Sequence, residues 1–115
     1  MVNPNNFVFI HHMIDSGEKI VRYINGFDLN VFIKDEKTIS SVLYEIAVIG
    51  EAAKHTGEGF RVKYPQIPWK NIFGMRDKLV HDYMGVDYQE VWKTATQDIP
   101  SLIDILQEIL KSEEI

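Results

Sequence analysis

Apolar side chains recur at three- and four-residue steps along most of this 115-residue chain. The first run is Ile10, Met13, Ile14, Ile20, Val21 and Ile24, and the second is Ile39, Val42, Leu43, Ile46, Ile49 and Ala53. This spacing places the apolar side chains on one face of an α-helix. No stretch alternates between apolar and polar residues with a period of two, so the pattern predicts helices and no β-sheet.

Residues that favour helix ends bound these two runs. The Pro-Asn-Asn stretch at residues 4–6 is expected to start the first helix, and Asn25-Gly26 is expected to end it. Asp35 is expected to cap the second helix, which Thr56-Gly57 ends. Gly17 interrupts the first helix, either at a cost of about 1 kcal/mol relative to alanine or to let a neighbouring element approach closely.

A third helix is expected from Pro68 to about Tyr83, because proline suits the first helical position, where its missing N–H has no partner to lose. Gly85 then stands where a left-handed residue commonly ends a helix. The stretches 27–33 and 58–67 are expected to be connections without a regular element of their own.

The last apolar run extends from Val91 to Leu110, and Asp87 and Glu90 precede it with the spacing of a capping box. Pro100 lies inside this run, so we expect a kink or two abutting helices near Ile99. Residues 112–115 are expected to fray. The sequence therefore predicts an all-α antiparallel bundle of four to five helices with short connections.

Length and composition narrow the possibilities. The chain is expected to form one domain over residues 1–115, and it has no cysteine, which excludes disulfides, thiolate metal sites and a cysteine nucleophile. The N-terminus lacks the basic segment of a targeting signal, so a cytoplasmic protein without a membrane association is expected.

The charge is unevenly distributed. The net charge is −5, but the window from Arg61 to His81 carries five Lys or Arg side chains and a single Asp, which leaves −9 on the remainder. Such a basic strip is compatible with a local phosphate contact. A solvated helix face gives the same count of charges and is an equally good interpretation.

The third helix contains a cation where packing residues are expected. On a helical wheel its apolar arc contains Ile72, Phe73, Met75, Leu79 and Val80, and both Arg76 and Tyr83 fall inside the same arc. An unpaired cation in a packed interface is costly, so an anion should meet Arg76, and Glu51 on the second helix is a candidate. The alternative is that Arg76 extends its guanidinium into water, with Asp77 and His81 as a surface pair.

Arg76 can bind phosphate and His81 can transfer protons, and these two groups are sufficient to cleave RNA without a metal, because the 2′-hydroxyl of RNA is an internal nucleophile. One histidine cannot readily remove that proton and protonate the leaving 5′ oxygen in a single step, so a two-fold dimer would supply the second histidine. Asp77, one turn before His81, could orient the imidazole and favour its charged form. Arg76 and His81 start about 140° apart on the helix, so either the arginine reaches across or the site is composed across a dimer.

Arg76, His81 and Tyr83 together form an R-x4-H-x-Y motif, in which the chain resembles the HepT-like ribonuclease toxins of the HEPN superfamily. The likeness covers nearly the whole chain. It includes Ile49-Gly50-Glu51-Ala52, Pro65 to Trp69, Gly74-Met75-Arg76, Gly85-Val86-Asp87, Val91-Trp92 and Ile99-Pro100. The family commonly has asparagine directly after the arginine, where this chain has Asp77, a polar change that can alter the pKa of the histidine without removing its acid–base function.

The resemblance implies a homodimeric HEPN-type bundle that acts as the toxin of a type VII-like toxin–antitoxin pair and cuts RNA without metal or other cofactor. Arg76 would contact phosphate and His81 would be the acid–base residue. The antitoxin would be an MntA-like nucleotidyltransferase that transfers AMP from ATP to Tyr83. The alternative is a catalytically silent helical module that binds a minimal nucleotidyltransferase as its substrate or positioning subunit.

Overall fold

The computed structural model describes residues 6–113 of the chain. The α-helices are α1 (Asn6–Tyr23), α2 (Leu29–Phe32), α3 (Glu36–His55), α4 (Glu58–Lys63), α5 (Trp69–His81), α6 (Tyr88–Lys93) and α7 (Ile99–Glu113). A 3₁₀ turn (Tyr83–Gly85) follows α5, and a π-helical turn (Thr94–Asp98) joins α6 to α7. This part of the chain contains no strand, so the predicted all-α fold is confirmed.

The long helices α1, α3 and α7 form most of the core. Helix α3 packs against both α1 and α5, and α1 also packs against α7. Fully buried side chains shared among these helices are Ile10, Met13, Ile20, Val42 and Leu106. Helix α5 contributes Leu79 as a buried residue and packs Trp69, Ile72, Phe73 and Met75 against the core as partly buried side chains.

The start of α1 is tied to the end of α3. Helix α1 begins at Asn6, whose buried Oδ1 accepts a hydrogen bond of 3.1 Å from the backbone N–H of Gly57. The other two residues of the expected start signal, Pro4 and Asn5, lie outside the described residues. In the turn after α1, Gly26 adopts a left-handed conformation with φ of +82°, which glycine adopts without strain.

Gly17 lets α7 approach α1. A Cβ added at this position would lie 3.0 Å from Cγ1 of Ile103 and 3.4 Å from Cγ2 of Ile99. Of the two interpretations of this glycine, the structure supports the close approach of a neighbouring helix.

Two stretches expected to be plain connections contain short helices, so that prediction was wrong. Asp28 caps α2 by accepting a hydrogen bond of 2.9 Å from the N–H of Val31, and Phe32 at the end of α2 is completely buried. Helix α4 places Phe60 in the core in the same way. One buried aromatic side chain therefore fixes each segment against the bundle, and the helical turn satisfies its backbone hydrogen bonds.

The predicted limits of α5 need correction at both ends. Pro68 is the N-cap rather than the first helical residue, and the helix ends at His81 rather than near Tyr83. Gly85 does not adopt the expected left-handed conformation, since Gly26 has the positive φ among glycines in the described residues. A Cβ at Gly85 would meet the carboxylate of Asp82, an exposed side chain that can rotate away.

Pro100 divides the last apolar run as expected. It lacks the N–H that would continue the α-helical ladder, and the π-helical turn immediately before Ile99 accommodates that gap. Asp87 caps α6 through a 2.9 Å hydrogen bond from the N–H of Gln89, whereas Glu90 lies 3.8 Å from Nζ of Lys78.

The C-terminal end of the described chain differs from expectation. Helix α7 continues through Glu113, so the expected fraying was wrong for residues 112 and 113, and the last two residues lie outside the described range.

None of the helices within residues 6–113 combines the length and apolar character needed to cross a membrane.

Tyr64 links the segment before α5 to the end of α7. Its hydroxyl donates a hydrogen bond to the carboxylate of Glu113, and burial together with this bond raises the pKa of Tyr64 from 10 to about 12. Because the raised pKa favours the neutral phenol in the folded state, the stability it contributes is complete below pH 10 and is lost as the pH rises through 12.

We expect Tyr64→Phe to lower the free energy of unfolding at neutral pH by about 1 kcal/mol, since one hydrogen bond is lost and its acceptor carboxylate is 39% exposed to water. The difference between parent and variant should shrink between pH 10 and 12 in urea unfolding curves. Tyr44→Phe, at an exposed position on α3, is the control and should change neither quantity. A parent–variant difference that stays constant across this pH range would contradict the assignment.

Candidate active site

Arg76 is seated where α5 crosses α3. A Cβ added at Gly50 of α3 would collide with Cβ and Cγ of Arg76, so the arginine stem lies directly on the backbone of α3. Only a glycine leaves room for this contact. The helix pattern placed Arg76 in the packing face, and the structure shows how a cation fits there: its stem is packed and its charged end emerges beside α3.

The guanidinium of Arg76 is bonded to two carboxylates. Its Nε and Nη2 both donate to Oε1 of Glu51, at 2.9 and 2.7 Å, and its Nη1 donates to Oδ1 of Asp77 at 3.1 Å. The Arg76 side chain is only 19% exposed. The expectation that an anion meets this cation, with Glu51 as the candidate, is therefore confirmed.

Arg76 and Glu51 hold each other in their charged forms. The hydrogen bond from Arg76 keeps the pKa of Glu51 below its ordinary value, and Arg76's positive charge acts in the same direction. The bonds to Glu51 and then Asp77 raise the pKa of Arg76. Both carboxylates are at least half exposed, so water screens these interactions, and their main effect is on geometry.

His81 is the last residue of α5 and is exposed. Asp77, expected to orient its imidazole, is instead bonded to Arg76, and within residues 6–113 no hydrogen bond joins Asp77 to His81. One chain thus presents a fixed arginine and an exposed histidine on the same helix without a hydrogen bond between them. The imidazole is therefore accessible to a bound molecule.

Tyr83 lies just beyond the end of α5, on the 3₁₀ turn, and is 58% exposed. The interpretation of Tyr83 and Val80 as members of a packed arc is wrong, because both are exposed and the helical period stops at His81. Met84 beside Tyr83 is 94% exposed. The tyrosine hydroxyl is therefore accessible to another protein.

The cations of the basic strip are mostly paired within the fold. Arg61 donates to the backbone carbonyl of Thr56 and lies 5.6 Å from the ring centroid of Phe73. The remaining pairs are Lys63 with Glu113 at 3.9 Å and Lys78 with Glu90 at 3.8 Å. Lys63, Arg76 and Lys78 therefore have carboxylate partners, whereas the partners of Arg61 are neutral, so neighbouring anions compensate part of the strip.

A cleft lies elsewhere beside α5. It has a volume of about 290 Å³, its floor is Ile46 and Ile49 of α3, and its walls include Met75 of α5 and Leu102 of α7. Arg76, His81 and Tyr83 do not line it. Within residues 6–113, no group of three or more His, Asp or Glu side chains is arranged to hold a metal ion.

Comparison with known families identifies the class of protein. The family described as "HepT-like: Ribonuclease HepT-like" matches residues 13–109, which is most of the chain and includes all of α3 and α5. The chain belongs to the HepT-like ribonuclease family, and the resemblance seen in the sequence is confirmed.

Individual relatives agree with this assignment. The chain is 37% identical over 106 residues to "Putative RNase MJ0127" of Methanocaldococcus jannaschii, covering 92% of this chain and 88% of that protein. It is 36% identical over 106 residues to "Putative RNase TTE0752" of Caldanaerobacter subterraneus subsp. tengcongensis, covering 92% and 95%. It is 37% identical over 94 residues to "Probable ribonuclease HepT" of Thermococcus cleftensis, covering 82% and 86%. No solved structure gives a significant match.

The sequence did not reveal the role of Gly50. It is one of several small residues on α3, with Ala47, Ala52 and Ala53, and the structure shows that Gly50 in particular receives the stem of Arg76. Its position directly before Glu51 was the available signal, because the two neighbours together form the seat and the counter-ion of one arginine.

We expect Gly50→Ala to lower the free energy of unfolding by about 1–3 kcal/mol, because α5 must shift to relieve the collision with Arg76. Gly74→Ala on α5 is the matched control. A Cβ there meets no atom within 4 Å, so alanine should stabilise the helix by roughly 0.5–1 kcal/mol. Chemical unfolding of both variants beside the parent measures the two effects, and equal stability of the two variants would contradict the proposed seat.

Proposed function

We propose that this protein is a metal-independent endoribonuclease and the toxin of a type VII-like toxin–antitoxin system, acting as a homodimer in which two R-x4-H motifs meet. Membership of the HepT-like ribonuclease family supports RNA cleavage. The observation that supports the residue assignment is that Arg76 is fixed against Gly50 and Glu51 and lies on the same helix as the exposed His81.

The reaction uses the nucleophile in RNA itself. The His81 of one copy accepts the 2′-hydroxyl proton, and the 2′ oxygen attacks the adjacent phosphorus. Arg76 stabilises the negative charge that develops on the phosphorane. The protonated His81 of the second copy donates to the departing 5′ oxygen, so the products are a 2′,3′-cyclic phosphate and a 5′-hydroxyl end.

Tyr83 is the proposed switch. Its hydroxyl oxygen attacks the α-phosphorus of ATP held by an MntA-like nucleotidyltransferase, pyrophosphate leaves, and an AMP group becomes attached to the tyrosine. The exposure of this side chain supports its use as a substrate of another enzyme. The added phosphodiester brings negative charge and bulk to the turn after α5, and so competes with RNA phosphate near Arg76.

Cleavage of RNA in the presence of EDTA tests the nuclease. We expect His81→Ala to reduce the rate by at least about 100-fold, since a general acid–base group is removed. Arg76→Ala should reduce it by about 100-fold or more, since charge stabilisation is lost. His11→Ala, at an exposed position on α1, is the control and should cleave like the parent. Sequencing of the fragment ends should find 2′,3′-cyclic phosphates.

Two outcomes would contradict this mechanism. One is undiminished cleavage by a well-folded His81→Ala protein. The other is a strict monomer in analytical ultracentrifugation that still cleaves RNA, because a single chain offers one His81 for two proton transfers.

Modification of Tyr83 is tested by incubating the protein with its nucleotidyltransferase and ATP. Intact-mass spectrometry should show one or more added AMP units on the parent and none on Tyr83→Phe. Tyr88→Phe, on a second exposed tyrosine five residues further on, is the matched control and should be modified like the parent. AMP gained by Tyr83→Phe would place the modification on another residue.

The alternative is a helical module that binds a nucleotidyltransferase without cleaving RNA itself. The pairing of Arg76 with two carboxylates favours it, because a neutralised arginine is a weaker phosphate ligand. It predicts addition of AMP to Tyr83 in a protein whose RNA products are unchanged by His81→Ala.

A further inference from the structure

The carboxylate of Glu51 occupies one particular edge of the Arg76 guanidinium. A guanidinium has five N–H donors arranged in a plane. One oxygen of Glu51 accepts from both Nε, at 2.9 Å, and Nη2, at 2.7 Å, so Glu51 lies on the edge that these two nitrogens share. The outer edge, formed by Nη1 and the second N–H of Nη2, points away from Glu51.

Asp77 is held more weakly than Glu51. It accepts a single hydrogen bond of 3.1 Å from Nη1, and its side chain is 59% exposed. Because it follows Arg76 directly on the same helix, a rotation of its side chain can move the carboxylate into water without moving any backbone. Glu51, in contrast, makes two bonds from a different helix and holds Arg76 against α3.

The charges at this site oppose phosphate binding while both carboxylates remain. One guanidinium between two carboxylates has a net charge of −1, which repels a phosphodiester. If Asp77 turns away, the Arg76–Glu51 pair is neutral and the outer edge is open. Two parallel N–H donors on that edge match the geometry of two phosphate oxygens.

We propose that Glu51 is a positioning residue that holds the inner edge of Arg76 and so directs its outer edge to an RNA phosphate, and that Asp77 covers this outer edge until phosphate displaces it. The proposal rests on the RNA substrate proposed above. Gly50 and Glu51 act together, since the glycine fixes the stem of Arg76 and the glutamate fixes the rotation of its guanidinium. The low pKa that Arg76 gives Glu51 keeps this partner ionised.

Binding of an RNA oligonucleotide with 2′-O-methyl groups tests the proposal without cleavage, because the nucleophile is blocked. Removing a negative charge from a chain with net charge −5 should by itself tighten binding to a polyanion. Glu18→Ala, at an exposed position on α1, measures this general effect in fluorescence anisotropy. The proposal requires that removing the charge of Glu51 weakens binding, and that removing the charge of Asp77 tightens binding more than Glu18→Ala does.

We expect Glu51→Ala to weaken binding about tenfold, since the guanidinium loses the partner that orients it. Glu51→Gln should fall between this variant and the parent, because its amide oxygen still accepts from Nε and Nη2. Asp77→Asn should tighten binding about threefold or more beyond Glu18→Ala, since the competing charge is removed.

A spectroscopic measurement separates positioning from a general loss of structure. The Nε–H resonance of Arg76 in ¹⁵N spectra should persist when the oligonucleotide binds to the parent, because Glu51 keeps its bond. It should shift in Glu51→Ala already before the oligonucleotide is added. Loss of the resonance from the bound parent would show that phosphate replaces Glu51, and would overturn the proposal.

The affinities give further outcomes that overturn it. If Glu51→Ala binds the oligonucleotide as tightly as Glu18→Ala does, Glu51 competes with phosphate and does not position Arg76. If Asp77→Asn binds no more tightly than Glu18→Ala, phosphate does not displace Asp77. The failure of this proposal is distinct from the failure of the nuclease. If the affinities are as expected but the parent does not cleave ordinary RNA, the nuclease is rejected and the phosphate site is retained. If cleavage depends on His81 but Glu51→Ala binds with unchanged affinity, only the positioning role of Glu51 is rejected. A parent that does not bind the oligonucleotide would reject both.

Discussion

The contact between α3 and α5 is the constraint on which the candidate site depends. The backbones approach closely because Gly50 has no side chain, and the stem of Arg76 fills the space. The same contact brings Glu51 within hydrogen-bonding distance of the guanidinium. Packing and electrostatics therefore act on the same side chain. Gly50 fixes the position of the Arg76 stem, and Glu51 fixes the position of its guanidinium. His81 and Tyr83 follow on the same helix and the turn after it, so their positions are set by the seating of α5 as a whole.

The fold supports this contact from the opposite side. Helix α3 packs against α1 as well as α5, and α1 packs against α7 over the close approach at Gly17. Helix α5 packs on this support through the buried Leu79 and through partly buried side chains that include Ile72 and Met75. The stem of Arg76 adds to this packing at Gly50, where the candidate site is built. This explains why a residue expected to weaken packing, a cation on the inner face of a helix, is instead part of what holds α5 in place.

Much of this structure could be predicted from the sequence, because long helices carry a strong periodic signal. The limits of α3, the cap at Asp35 and the division near Ile99 all follow from local chemistry and are confirmed. Helices α2 and α4 could not be predicted, since each consists of a few residues fixed by one buried phenylalanine, and that burial depends on the rest of the bundle. Tyr83 was misplaced for a related reason: the helical period was extended past His81, where the backbone leaves the helix. At the site, the Glu51 partner was foreseen as a candidate, whereas the bond between Asp77 and Arg76 depends on a rotamer that the sequence does not specify.

The internal pairing of the basic strip has a consequence for how this protein would meet RNA. Lys63, Arg76 and Lys78 lie beside carboxylates, and the net charge of the chain is −5, so anions offset part of the positive field of the strip. Association with a polyanion would then gain little from long-range electrostatic steering. In the proposed dimer, capture of RNA would depend on short-range contacts at Arg76 of each copy, so strands that do not present a phosphate in the required geometry would remain uncleaved.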